Sequence, residues 1–129
     1  MNHRFSLLHL NARSLNKNID QLALFINAIN DKFSIIAISE TWENKDIPSK
    51  PHLPGYSCVS IPRSGRSGGV ALFIKDTIIF KCKHEVSNIN DNSFESVFIE
   101  ILNFRKRKLI ISCIYRPPGR DINVFNDQF

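Results

Sequence analysis

The sequence is poor in residues that staple a fold or span a membrane. It has three cysteines, Cys58, Cys82 and Cys113, an odd count with no Cys-x-x-Cys pair. Nothing therefore suggests a disulfide framework or a thiolate zinc site. Cys58 and Cys113 lie in apolar stretches and read as small core residues. No apolar run approaches membrane-spanning length, and none follows the Met1-Asn2-His3-Arg4-Phe5 start. Neither a signal peptide nor a transmembrane helix is expected, and no membrane partner. A reducing, intracellular compartment is the default expectation. Internal repeats, low-complexity tracts and linkers are absent. The glycine-rich stretch Arg63-Ser64-Gly65-Arg66-Ser67-Gly68-Gly69 lacks the spacing of a P-loop.

What is present reads as one globular domain. The 129 residues are 43% hydrophobic and 22% charged, which argues against disorder and allows a real core. The net charge of +5 favours anionic partners, nucleic acid among them, although basic charge alone is weak evidence.

Apolar runs separated by turn signals give the element order. A strand is expected at Phe5–Leu10 and a helix over Asn16–Asn30, with Ile19, Leu22, Phe25, Ile26 and Ile29 at helical spacing. Ser14 or Asn16 would cap that helix, and Asp20 near its start suits the dipole. A second strand, Ile35–Ser39, completes a βαβ unit, so the first two strands should be parallel. A proline-containing loop over Glu43–Pro54 leads to strands at Tyr56–Ile61, Val70–Ile74 and Ile78–Cys82. After a polar turn at Asn88–Ser93, Phe94–Leu102 and Lys108–Tyr115 form a hairpin with a basic tip, Asn103–Arg107. Asp121 would cap a further helix from Ile122. The strands are apolar at successive positions, as in Leu109-Ile110-Ile111, which indicates a sheet covered on both faces.

Glu40 stands out within this pattern. It follows directly after an apolar strand and precedes Thr41 and Trp42. An acid there costs desolvation unless it is paired or holds a cation, and ligands gather at such strand ends in open α/β sheets. Taken alone, the commoner reading is a solvated acid that ends a strand. The other islands at strand ends also have bland readings: Asn11 as a turn former, Tyr115 as a rim residue, Pro117-Pro118 as a strand terminator.

Their order is more specific than any one of them. HLNARSL, then ISETW, then GRSGGVALFIK, then IYRPPG closely resembles the endonuclease/exonuclease/phosphatase family. Within it the resemblance is to the endonuclease domain of non-LTR retrotransposons, relatives of the apurinic endonucleases. It covers nearly the whole chain. It implies an α/β fold with mixed sheets, part of a DNase I-like four-layer sandwich of two sheets with helices outside. It also implies hydrolysis of a DNA phosphodiester with Mg2+ as cofactor and Mn2+ as an acceptable substitute. By position, Glu40 would be the metal ligand, Asn11 would lie at the metal and phosphate site, and Tyr115 would contact the scissile phosphate. Arg13, Arg116 and the loop with Arg63 and Arg66 would contact nucleic-acid backbone. A reverse transcriptase would accompany the domain in its full-length parent, in the nucleus.

Two motifs of that family are absent. Gly-Asp-Phe-Asn supplies the aspartate and asparagine that act on water and phosphate, and Ser-Asp-His supplies an aspartate–histidine pair. Neither occurs, and His3, His9, His52 and His84 follow no Ser-Asp pair. His9 reads as a strand histidine. The chain thus resembles the N-terminal half of such a domain. The expectation is an inactive piece whose missing half carries the second sheet, leaving an exposed apolar face and a tendency to self-associate. A non-catalytic nucleic-acid-binding fragment and a non-functional retroelement remnant are the alternatives.

Overall fold

The computed structural model describes residues 4–30, 32–43, 51–61, 68–84, 87–89, 94–118, 123 and 126. Strand β1 (Leu7–Asn11), helix α1 (Leu15–Ala28) and strand β2 (Ile35–Ser39) form the expected βαβ unit, with β1 and β2 parallel. Strands β3 (Tyr56–Ile61) and β4 (Val70–Lys75) complete a four-stranded sheet of order β1-β2-β4-β3. A second sheet is built on the long strand β7 (Glu95–Phe104). Strand β8 (Arg107–Tyr115) lies on one side of β7; the short strands β5 (Phe80–Cys82) and β6 (Asn88–Ile89) share the other.

Two hydrophobic layers explain the continuous apolar runs of β2 and β4. Ile36, Ile38, Ala71 and Phe73 face α1, where they meet Leu15, Leu22 and Ile26. Ile35, Ala37, Val70, Leu72 and Ile74 face the other way and pack against Val97, Ile99, Ile101 and Cys113 of the second sheet. A strand buried on both faces needs no polar alternation. The expectation that a missing half would carry the second sheet is therefore corrected: this chain builds both sheets and covers the inner face of β2 and β4 itself. Among the described residues, α1 and the two sheets make three layers. The expected Asp121 cap and the Ile122 helix start lie outside the described residues, as does most of the loop after Glu43.

One side of the sandwich stays open. Leu7, His9 and Asn11 of β1 point the same way as Ile35, Ala37 and Ser39 beside them, yet are exposed. Beside this edge a cavity of about 300 Å³ opens between β1 and α1, lined by Leu10, Leu22 and Phe25 among others. Phe25 was expected on the buried helix face but is 51% exposed here.

Cys113 is buried, with its thiol pushed up to about 11 by desolvation, and Cys58 is half-buried, in line with their core reading. No helix among the described residues is long and apolar enough to cross a membrane.

Two local expectations change. Ser14 sits at the N-cap position of α1, but its side chain makes no capping bond, and no acid lies in the first turn, so Asp20 is too far along to serve the dipole. Asn18 instead folds back onto the carbonyls of Ala12 and Ser14 at 2.9 and 3.1 Å. The β7–β8 tip is tighter than the predicted five residues. The ladder runs to Phe104 and Arg107, leaving Arg105 and Lys106 as a two-residue turn with φ of 45° and 60°. That is the handedness the strand twist prefers, adopted here by two residues that resist it.

Replacing Arg105-Lys106 by Asn-Gly should therefore stabilise the fold by about 1 kcal/mol, read as a higher urea midpoint with unchanged slope. Phe73→Ala, at a fully buried side chain beneath α1, should cost about 3–5 kcal/mol in the same measurement.

Candidate active site

The site begins with the backbone that follows β2. Ser39, Glu40 and Thr41 offer their carbonyls to the N–H groups of Ala12, Ser14 and Leu15 at 2.9, 3.1 and 2.8 Å. On the opposite side, Thr41 and Trp42 donate their N–H groups to the carbonyls of Gly69 and Gly68 at 3.2 and 2.9 Å. The segment is thus sewn between the entry to α1 and the start of β4. The segment and the chain facing it need unusual backbone: Glu40 and Trp42, and Arg13 and Ser14 opposite, all have positive φ. Such conformations cost of order 1–3 kcal/mol each outside glycine and persist where the surroundings over-determine them. Gly68 and Gly69 also have positive φ, and a Cβ on Gly69 would collide with the Thr41 hydroxyl. Only glycine fits there.

This backbone fixes the Glu40 side chain at the end of the sandwich where both sheets meet. Glu40 is half-buried, and its Oε1 accepts the Tyr115 hydroxyl at 2.5 Å. Tyr115 ends β8, so the bond ties the second sheet to the first. A hydrogen bond to a charged acceptor contributes about 1.5–3 kcal/mol when shielded, and less at this half-exposed position. Asn11 ends β1 directly beside Ser39, one residue before Glu40, and is exposed. The structure therefore joins Glu40 to Tyr115 by contact and sets Asn11 at the neighbouring strand end.

The other expected residues divide. Arg13 and Arg116 are described and exposed, each close in sequence to this end. Arg63 and Arg66 lie outside the described residues. His9 is a strand residue with its Nε2 3.4 Å from the Ser39 hydroxyl. His52 and His84 are exposed, and His3 lies outside the described residues.

Among the described residues no group of three or more His, Cys, Asp or Glu side chains gathers. At this end Glu40 offers a carboxylate and Asn11 an amide oxygen, donors of the kind that hard divalent cations take.

Sequence reasoning missed two acids. Glu95 opens β7 fully buried, its Oε2 accepting the Gly69 N–H at 2.6 Å. Glu43 is buried, with its N–H on the Thr41 hydroxyl at 3.3 Å. The available signal was an acid embedded in the apolar run from Phe94 to Ile99.

No protein-family model matches the chain, and no curated protein sequence matches it. Solved structures do. The chain superposes on the endonuclease domain of TRAS1, a telomere-specific non-LTR retrotransposon, with a TM-score of 0.66 at 16% identity, over 97% of this chain and 50% of that one. It superposes on the AP endonuclease LMAP from Leishmania major with a TM-score of 0.66 at 16% identity, over 96% of this chain and 44% of that one. The chain spans about half the length of each. A βαβ unit, two face-packed sheets and a polar cluster at their common end thus give this chain the endonuclease/exonuclease/phosphatase-type, DNase I-like fold of these endonuclease domains.

Proposed function

We propose that the chain is the N-terminal portion of a metal-dependent DNA endonuclease domain of a non-LTR retroelement, with Glu40, Asn11 and Tyr115 as its share of the active site. The observation that carries this reading is the contact between Glu40 and Tyr115 at 2.5 Å where the two sheets meet. The shared fold with a retrotransposon endonuclease domain and an AP endonuclease supports it.

The reaction would be hydrolysis of a phosphodiester. A water oxygen would bond to phosphorus as the water gives up a proton, one P–O ester bond would break, and the departing sugar oxygen would take up a proton in its place. Magnesium, or manganese in its place, would supply Lewis acidity toward a phosphoryl oxygen when bound. Glu40 and Asn11 would hold the ion. Tyr115 would offer its hydroxyl to a phosphate oxygen once it leaves the Glu40 carboxylate. Arg13 and Arg116, both exposed near this end, would neutralise flanking phosphates. Arg63 and Arg66 are proposed for the same work from the sequence.

The sequence contains neither Gly-Asp-Phe-Asn nor Ser-Asp-His. Groups that act as a unit fail together, so the isolated chain is proposed to lack activity. The open side beside β1 is the proposed seat of a complementary half-domain, and exposed Leu7 and Phe25 there would drive self-association without it. A reverse transcriptase in the parent protein and a nuclear location belong to the same proposal.

A second reading, nucleic-acid binding without catalysis, draws on the far end of the second sheet. Lys81, Lys83 and Lys108 surround buried Glu100 at 3.4, 3.7 and 3.9 Å, next to exposed Arg105, Lys106 and Arg107.

Magnesium titration followed by Trp42 emission separates the two readings, since Trp42 is 40% exposed and adjoins Glu40. The endonuclease reading expects a saturable change that Glu40→Gln abolishes. No change, together with DNA binding that falls steeply with salt, favours the second. Supercoiled DNA with Mg2+ should remain un-nicked by the isolated chain; robust nicking lost in Glu40→Ala would overturn the inactivity.

A further inference from the structure

Glu95 lies outside the residues just assigned, yet it touches the same backbone. It opens β7, is 0% exposed, and sits opposite Tyr115 in the β7–β8 ladder. One register position of the second sheet therefore sends two side chains toward the first. Tyr115 reaches Glu40, and Glu95 reaches the N–H of Gly69. The Gly69 carbonyl accepts the Thr41 N–H, and the Gly68 carbonyl accepts the Trp42 N–H. The path from the Glu95 carboxylate to the Glu40–Thr41 peptide passes through one residue, Gly69, by its N–H and its carbonyl.

Burying a carboxylate is expensive. A shorter polar side chain would satisfy one N–H at lower cost, but a carboxylate gives a bond about twice as strong as a neutral one. The Gly68-Gly69 backbone most needs such a bond. It has positive φ at both residues and no side chain with which to anchor itself.

We propose that Glu95 is a positioning residue: its buried carboxylate pins the Gly68-Gly69 turn to the second sheet and thereby holds the Glu40–Trp42 segment in its strained backbone. The consequence for cation affinity rests on the reading of Glu40 as a metal ligand. The positioning itself rests on the hydrogen bonds alone.

The test is amide hydrogen exchange on the metal-free chain, resolved by residue, for the parent and for Glu95→Ala, Glu95→Asp and Glu95→Gln. In Glu95→Ala the Thr41 and Trp42 amides should exchange about tenfold faster or more, while the Ile36 and Ile38 amides in β2 keep their rates. Glu95→Gln keeps an oxygen within reach of Gly69 and should restore most of the protection. If Glu95→Ala does not fold, Glu95→Asp, which withdraws the carboxylate by one methylene, is read by the same criteria. Unchanged Thr41 and Trp42 rates overturn the proposal. So does uniform acceleration along β2, which would mark Glu95 as a general stabiliser. A second arm follows Mg2+ binding at Trp42, where Glu95→Asp should weaken affinity about tenfold. A parent that responds to Mg2+ no differently from Glu40→Gln sinks the metal reading and leaves the exchange rates to decide on Glu95. A parent that binds Mg2+, with affinity unchanged in Glu95→Asp, overturns the positioning role.

Discussion

Everything at the candidate site depends on how the backbone from Ser39 to Trp42 is held. Five main-chain hydrogen bonds secure it, three from the entry of α1 and two toward the Gly68-Gly69 turn. A chain leaving a buried strand must satisfy its polar groups or lose about 1–3 kcal/mol for each one left unpaired. Here the partners come from both flanks, so the segment stays at the sheet end and does not wander into solvent. Glu40 is presented by this geometry at positive φ. The side chain that defines the site is thus a by-product of backbone satisfaction around it.

The architecture was largely legible in the sequence wherever burial wrote the pattern. The run Ile35–Ser39 is buried throughout, and its strand was expected with the same bounds. So was Tyr56–Ile61. The covering of the inner face was misjudged. The apolar strands from Phe94 onward were seen, but apolar runs do not record which sheet a strand joins. The same hydrogen-bonded ladder forms either way, and only the pairing of β5, β6 and β8 with β7 reveals a second sheet. Caps and turns were less legible, because they depend on partners distant in sequence. The N–H of Leu15 is satisfied by Thr41, so no local capping residue was required.

Site residues split along the same line. Glu40, Asn11 and Tyr115 were singled out through the order of their motifs along the chain, and the structure joins Glu40 and Tyr115 across 75 positions. Glu95 escaped because it imitates a strand-opening acid; what distinguishes it is total burial. Asn11 and His9 face the inner side of the sandwich and remain exposed, because β8 lies across from β2 and β4 and not from β1. The second sheet thus leaves the inner face of β1 uncovered among the described residues.

The entry to α1 has a bearing on how the molecule is made. Its leading N–H groups find their acceptors on Glu40 and Thr41, beyond the helix and beyond β2. Helices of this length are marginal alone, since nucleation is costly, and this one has no local cap to offset that cost. The first turn of the helix is therefore fully hydrogen-bonded only once the chain has returned through β2 to Thr41. Contacts this distant in sequence are the kind that slow folding. During synthesis the polypeptide must extend past Thr41 before the helix entry finds its acceptors, and past Gly69 before the Glu40 turn is held on both flanks.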